Sequence, residues 1–82
     1  MALVEVTLPK WGLTMEEGTL VEWMVNEGER VSAGQVIAMV ETDKVSNELE
    51  SPVNGVVTKL MFTAGTESIK VGEVLCVIEE AG

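Results

Sequence analysis

The residue best suited to chemistry in this sequence is Lys44, which follows Asp43 in the stretch ETDKV at residues 41–45. An apolar run precedes this stretch at 35–40 and a strand-like segment follows at 45–50, a pattern that predicts a hairpin. Asp43 suits the turn because its short carboxylate can accept a hydrogen bond from nearby backbone N–H groups. The ammonium group of Lys44 is therefore expected in solvent, at or beside the tip. A lone lysine there is usually just solvated, so the rest of the chain must decide whether it does more.

Composition excludes several kinds of site. The 82 residues are enough for one domain with a thin core and no deep enzyme cleft. Histidine is absent and Cys76 is the single cysteine, which removes the usual zinc sites and every histidine-dependent triad, so we expect no metal site and no catalytic residue. Cys76 lies in the apolar run 74–78 and is expected to be buried and unreactive.

Charge and hydropathy also limit the partners. Five Lys and Arg against 14 Asp and Glu give a formal net charge of −9, which disfavours nucleic acid and anionic membranes and favours a partner with a basic docking patch. No apolar run approaches the ~18 residues of a membrane span, and no signal peptide is recognisable. A lone cysteine suits a reducing compartment.

Turn signals at short intervals predict many short strands and negligible helix. A first strand spans residues 2–8 and ends at Pro9, and residues 10–15 form a loop. A second strand opens at Gly18, and turns follow at 26–29 and 32–34. Period-2 alternation then assigns the core to Val21, Trp23, Val25, Val36, Ala38, Val40, Leu60, Phe62, Val74, Cys76 and Ile78.

The two halves of the chain repeat one plan of strands and turns. Matched residues lie 37 positions apart, and 38 apart after a one-residue insertion: Gly18 and Gly55, Gly28 and Gly65, Val31 and Ile69, Gly34 and Gly72, Val40 and Ile78. Neither half can bury its apolar face alone, so we predict a small antiparallel sandwich with a pseudo-two-fold axis. The axis places Lys44 at the pole opposite both termini. The loop at 10–15 lacks a counterpart in the second half, which makes it a candidate for recognition.

The residues at 41–45, set among Gly18, Gly28, Gly34, Glu48, Pro52, Gly55 and Gly72, resemble a lipoyl domain of the acyltransferase (E2) component of 2-oxo acid dehydrogenase complexes. The resemblance covers nearly the whole chain. The segment LPKWGLTM at 8–15 further resembles the acyltransferase of acetoin-cleaving complexes. Departures are small: Val45 stands where alanine is commoner, and Asn47 where an apolar residue is frequent.

This resemblance implies an all-β flattened barrel of two four-stranded antiparallel sheets, with lipoic acid in amide linkage to Lys44. It implies a carrier without catalysis of its own, to which a lipoate ligase or lipoyl transferase attaches the lipoyl group. A thiamin-dependent E1 would acylate this group, an acyltransferase core would remove the acyl group, and a flavin-dependent E3 would reoxidise the dithiol. Residues 1–82 would then be one carrier domain, monomeric in isolation, and either cut from a longer dihydrolipoamide acyltransferase or free-standing. Its expected location is the cytoplasm of a bacterium or archaeon, with the mitochondrial matrix as the alternative. Recognition is expected at Glu41, Asp43, Val45 and Glu48 of the hairpin and at Lys10, Trp11 and Met15 of the loop, where Trp11 and Met15 could instead cap the core.

Two other functions remain open. A biotin carrier shares this fold, but its lysine stands between methionines, whereas Lys44 stands between Asp43 and Val45. An unmodified lipoyl-like interaction module would use Lys44 only as a turn residue. The mass of the protein after expression with lipoate separates these functions.

Overall fold

The repeat in the sequence folds into two sheets of four antiparallel strands. The computed structural model describes residues 2–12, 15–42 and 45–81. Its strands are β1 (Leu3–Thr7), β2 (Glu17–Trp23), β3 (Arg30–Val31), β4 (Val36–Glu41), β5 (Ser46–Glu50), β6 (Gly55–Leu60), β7 (Ile69–Lys70) and β8 (Val74–Glu80). One sheet has the order β1-β8-β6-β3 and the other β5-β4-β2-β7. The prediction of an all-β sandwich is confirmed, and every regular element of the described residues is a strand.

The pseudo-two-fold is visible in the hydrogen bonds. Its operation exchanges β1 with β5, β2 with β6, β3 with β7 and β4 with β8, and so exchanges the two sheets. The Gly28 N–H donates to Val57 O at 2.7 Å, and in the other half the Gly65 N–H donates to Leu20 O. Gly28 and Gly65 have φ of 89° and 94°, values that a glycine adopts without steric cost. The predicted turns therefore depend on matched glycines.

The matched strands also share their irregularities. The register shifts between Leu20 and Glu22 where β2 pairs with β4, and between Val57 and Lys59 where β6 pairs with β8. The extra residues are Val21 and Thr58, which are 37 positions apart. A bulge places two residues of one strand opposite one residue of its neighbour, so alternation of inward and outward side chains breaks there.

These bulges explain which core predictions were wrong. Val25, Ala38, Val40, Cys76 and Ile78 are buried as predicted, and Trp23, Leu60 and Phe62 pack partly buried against them. Val21 is wrong because the bulge turns it outward, leaving it 47% exposed, while Leu20 takes the inward position. Val36 and Val74 are only partly buried.

The residues that replace them in the core follow a second matched irregularity. Ile37 and Leu75 are the extra residues where β4 pairs with β5 and β8 with β1, and both are buried beside Ala38 and Cys76. The core is completed by residues that the alternation did not assign to it: Val6, Leu8, Leu20, Val31, Leu49, Val57 and Ile69.

The chain ends meet at one pole of the sandwich. The Glu80 N–H donates to Ala2 O at 2.8 Å, and Gly55 pairs with Glu80 where β6 begins. From there β6 runs to the other pole, where Gly65, in the turn after β6, donates its N–H to Leu20 O. The Glu41 end of the β4–β5 hairpin lies at this second pole, since Thr19 pairs with Glu41. Hairpin and termini thus occupy opposite poles, and Asp43 and Lys44 themselves lie outside the described residues.

The described residues contain no helix long and apolar enough to cross a membrane.

Candidate functional site

The site is built around the hairpin of β4 and β5. Val40 opposite Asn47 and Ala38 opposite Leu49 face inward, which anchors the hairpin in the core. The last pair of the ladder is Glu41 opposite Ser46, and both side chains are exposed. The predicted hairpin is therefore confirmed up to this pair.

Thr42 closes the ladder just before the two residues that the structure does not describe. Its backbone N–H donates to Val45 O at 2.8 Å, and its hydroxyl donates to the same carbonyl at 3.1 Å. Val45 is 56% exposed. The threonine of the ETDKV stretch thus has a structural role, because two donors on one carbonyl fix the chain on both sides of Asp43 and Lys44.

A polar cleft lies beside the hairpin. Its volume is about 380 Å³, and its lining residues are Glu17, Gly18, Thr19, Glu41, Thr42, Glu67 and Ser68. Gly18 brings the strands together, since a Cβ there would lie 2.9 Å from Val40 Cγ1. With carboxylates and hydroxyls on its walls, the cleft suits a cationic or hydrogen-bonding group better than an apolar ring.

One carboxylate of the cleft is paired. Nζ of Lys70, on the neighbouring strand β7, lies 2.9 Å from Oε2 of Glu17 on β2. The hydrogen bond and charge of Lys70 lower the pKa of Glu17, and those of Glu17 raise the pKa of Lys70. Both groups are in solvent, so this pair adds little to stability.

The loop between β1 and β2 meets the same pole through Met15. A Cβ on Gly18 would lie 3.5 Å from both Met15 Cε and Glu41 O, so the Met15 side chain lies close to the end of β4. Met15 is partly buried against the core, and its sulfur accepts a hydrogen bond from the Trp11 N–H at 3.4 Å. Trp11 is 37% exposed. Met15 therefore packs on the core, as the core-capping interpretation expects, whereas Trp11 stays accessible, as the recognition interpretation expects.

The remaining predicted recognition residues are partly brought together. Lys10, Glu41, Val45 and Glu48 are exposed, and Glu41 and Glu48 lie on the outward side of the hairpin sheet. Asp43 lies outside the described residues. No group of three or more His, Cys, Asp or Glu side chains among the described residues could hold a metal ion.

Sequence reasoning missed the far wall of the cleft, at Glu67 and Ser68. The sequence feature that indicates this wall is the one-residue insertion in the second half, which lies between Gly65, the counterpart of Gly28, and Ile69, the counterpart of Val31. The structure gives Ser68 a φ of 58°, rare for a residue with a side chain. The insertion was visible, but its position against Glu17 and Glu41 depends on the pairing of β2 with β7.

Comparison with known proteins identifies the fold and the family. The family model Biotin_lipoyl, described as biotin-requiring enzyme, matches residues 4–78. The solution structure of the lipoyl domain of the 2-oxoglutarate dehydrogenase complex from Azotobacter vinelandii superimposes with a TM-score of 0.78 at 28% identity, covering 96% of this chain and 99% of that one. The chain belongs to the biotin/lipoyl family, as a lipoyl domain.

Curated relatives of this lipoyl domain occur in two kinds of subunit. The pyruvate dehydrogenase E1 subunit beta of Rhizobium meliloti is 47% identical over 79 residues, 96% of this chain and 17% of the relative. The dihydrolipoyllysine-residue acetyltransferase of the pyruvate dehydrogenase complex of Zymomonas mobilis is 44% identical over 96% of this chain and 18% of its own length. That of the acetoin cleaving system of Pseudomonas putida is 39% identical over 92% and 20%. The lipoyl domain thus spans a fifth or less of these relatives.

Proposed function

We propose that this lipoyl domain carries lipoic acid on Lys44 and transports acyl groups between the active sites of a 2-oxo acid dehydrogenase complex. The observation that carries the proposal is the β4–β5 hairpin, whose ladder closes between Thr42 and Val45 at the pole opposite the termini, and Lys44 lies between these two residues in the sequence. A carrier needs this arrangement, because one pole must be tethered and the other must reach several active sites.

The residues beside Lys44 fit a covalently attached group. Glu41, Val45 and Ser46 are exposed, so no packed side chain of the described hairpin blocks an enzyme that approaches this end. A lipoyl dithiolane, once attached, accepts an acyl group with two electrons and releases them elsewhere. The chain itself contributes an amine for attachment, a rigid hairpin and a tether that raises the effective concentration of the group.

The partners follow from this function. We expect a lipoate ligase or lipoyl transferase for attachment, a thiamin-dependent E1 for acylation, an acyltransferase core and a flavin-dependent E3. The expected location is the bacterial or archaeal cytoplasm, with the mitochondrial matrix as the alternative; a mitochondrial relative occurs in Caenorhabditis elegans.

The parent subunit is proposed to be a dihydrolipoamide acyltransferase, as in the relatives from Zymomonas mobilis and Pseudomonas putida. The likeness of the 8–15 segment to acetoin-cleaving systems favours that subtype. A second candidate is an E1 subunit beta that bears its own lipoyl domain, supported by the 47% identity with the Rhizobium meliloti protein. The sequence that adjoins this domain in the native subunit distinguishes an acyltransferase from an E1 subunit beta.

Attachment is tested by expression with a lipoate ligase and lipoate. We expect the intact mass to rise by one lipoyl group, and peptide mapping to locate that group on Lys44. The variant Lys44→Arg keeps the charge but lacks the nucleophilic amine, so it should fold and stay unmodified. A lysine moved by one position should also stay unmodified, because the hairpin geometry sets its direction.

Three results would reject this assignment. Lipoyl groups on Lys10, Lys59 or Lys70 of the Lys44→Arg variant would mean that another lysine is the acceptor. Biotin on Lys44 after expression with a biotin ligase, without any lipoyl product, would favour the biotin carrier. A wild type that stays unmodified after expression with either ligase would favour the interaction module.

Recognition by E1 is proposed to involve the loop between β1 and β2. Lys10 and Trp11 are exposed, and Met15 lies close to Glu41 at the hairpin pole. Shortening the loop between Lys10 and Met15 should leave the melting temperature nearly unchanged and abolish reductive acylation of the lipoylated domain by its E1. Acylation that survives, or falls only in step with unfolding, would remove the loop from recognition.

A further inference from the structure

The pseudo-two-fold provides an internal comparison for the end of the β4–β5 hairpin. The operation that exchanges β4 with β8 matches Thr42 with Glu80, and the exchange of β5 with β1 matches Val45 with Ala2. The Thr42 N–H donates to Val45 O at 2.8 Å. The Glu80 N–H donates to Ala2 O at the same distance of 2.8 Å. The fold therefore closes this position with a backbone hydrogen bond at either pole.

The hairpin pole adds a second donor to this bond. The Thr42 hydroxyl also donates to Val45 O, at 3.1 Å, so one carbonyl accepts two hydrogen bonds from one residue. The matched residue, Glu80, carries a carboxylate, which accepts hydrogen bonds but cannot donate one. The second bond is thus not required by the fold, and it occurs at the pole whose sequence contains Lys44.

The second bond restrains a residue that packing restrains little. Val45 is 56% exposed, so its carbonyl rather than its side chain anchors it to β4. Thr42 suits this role because branching at Cβ restricts its χ1 angle, and with it the direction of the hydroxyl. Two residues, Asp43 and Lys44, connect Thr42 to Val45. A connection this short has few conformations available once both of its ends are fixed.

We propose that Thr42 is a positioning residue for the modification of Lys44. Its hydroxyl holds the Val45 carbonyl, and this restraint fixes the direction from which the lysine amine meets an activated lipoyl group. Thr42 acts through the turn and does not touch the reacting atoms. This inference rests on the proposed function and adds a residue that governs its first step, the attachment.

The attachment step depends on the direction of the amine. The unprotonated nitrogen of Lys44 attacks the carbonyl carbon of a lipoyl group that is activated as an acyl adenylate. A C–N bond forms and the C–O bond to the phosphate breaks; AMP leaves with the electron pair of that bond, and the nitrogen releases a proton to solvent. Because the nucleophile must approach the carbonyl in a near-attack geometry, a less restrained turn slows this step without weakening the docking of the domain.

Threonines at two places in the chain supply matched variants. Thr42→Val removes the hydroxyl but keeps the size, the branching at Cβ and the backbone N–H, and Thr42→Ser keeps a hydroxyl. The control is Thr58→Val, since the Thr58 hydroxyl donates to Val77 O at 3.0 Å on the other sheet. All three variants should fold and melt close to the wild-type temperature, because water replaces a hydrogen bond at the surface with little net cost.

The first measurement is the rate at which a purified lipoate ligase, supplied with ATP and lipoate, modifies the unmodified domain. Intact mass follows the product over a range of domain concentrations. We expect Thr42→Val to lower kcat about tenfold with a nearly unchanged KM for the domain. Thr42→Ser should recover most of this loss, and Thr58→Val should react as the wild type does.

The second measurement needs no enzyme. Relaxation of the backbone amide ¹⁵N nuclei at residues 43–45 reports the order of the turn on the ps–ns timescale. We expect lower order parameters in Thr42→Val than in the wild type. Thr42→Ser and Thr58→Val should give the wild-type values.

Several results would overturn the proposal. These are a wild-type kcat in Thr42→Val, unchanged order parameters at its turn, or a Thr42→Ser variant that reacts as slowly as Thr42→Val. A raised KM at unchanged kcat would also overturn it, because the hydroxyl would then contact the ligase, and so would an equal loss in Thr58→Val. Failure of the proposed function is separate, because it shows as a wild-type domain that gains no lipoyl group.

Discussion

Asn47 is a polar residue at an inward-facing position of β5, where the neighbouring side chains are apolar. It faces inward opposite Val40, and its Nδ2 is buried without a hydrogen-bond partner among the described residues. Its counterpart in the other half is Val4, opposite Ile78. A buried donor left unpaired costs roughly 1–3 kcal/mol.

We therefore predict that Asn47→Val raises the free energy of unfolding by about 1–2 kcal/mol in urea titrations. The matched control, Val4→Asn, should lower it by a similar amount. A loss of stability in Asn47→Val would mean that the amide finds a partner in solution.

Burial of Cys76 makes the free energy of unfolding depend on pH in the alkaline range. The side chain is fully buried, and burial raises the pKa of its thiol from 9.0 to about 11. The unfolded chain therefore releases its proton at lower pH than the folded one, so stability present below pH 9 declines as pH rises toward 11. The decline amounts to about 2 kcal/mol.

Urea titrations between pH 8 and pH 11 measure this decline. The variant Cys76→Ala, compared with the wild type at each pH, should be less stable at pH 8 because of the cavity and should lose less stability as pH rises. Parallel curves for the two proteins would rule out the thiol as the cause.

The turns between strands depend on backbone conformations that glycine favours. Gly28 has a φ of 89°, and a Cβ there would meet no atom within 4 Å, so substitution would cost backbone strain alone. We predict that Gly28→Ala lowers the free energy of unfolding by about 1–3 kcal/mol.

Gly12 offers a matched control. A Cβ there would also meet nothing within 4 Å, but its φ lies outside the left-handed region. Gly12→Ala should therefore be neutral or slightly stabilising in the same unfolding measurement. Equal effects at both positions would indicate that φ is not what limits substitution at Gly28.

The two halves of the molecule depend on each other for folding. β1 pairs with β8, β2 with β7, β3 with β6, and β4 with β5, so four of the six strand pairings join one half to the other. A half alone would leave these edges and its core face in water.

We predict that peptides of residues 1–42 and 43–82 are each unfolded by circular dichroism, whereas the whole chain unfolds in one transition. A cooperative thermal transition in either peptide alone would contradict this interdependence. Recovery of strand signal on mixing the two peptides would support it directly.

The sequence by itself determined the repeat, the two sheets and the β4–β5 hairpin, and it predicts Lys44 in the turn of that hairpin. These features follow from local signals: matched glycines, short apolar runs, and an acid and lysine between two strands. It also placed the asymmetric loop, because an insertion in one half of a repeat is visible without coordinates.

The tertiary structure decided which side chains face inward and what surrounds the hairpin. Alternation assigned Val21 to the core and overlooked Leu20, since a bulge exists only in relation to the neighbouring strand. The cleft joins Glu17 and Glu41 of the first half to Glu67 and Ser68 of the second. Residues so far apart in sequence meet only because β2 pairs with β7, and this pairing depends on closing the sandwich over a shared core.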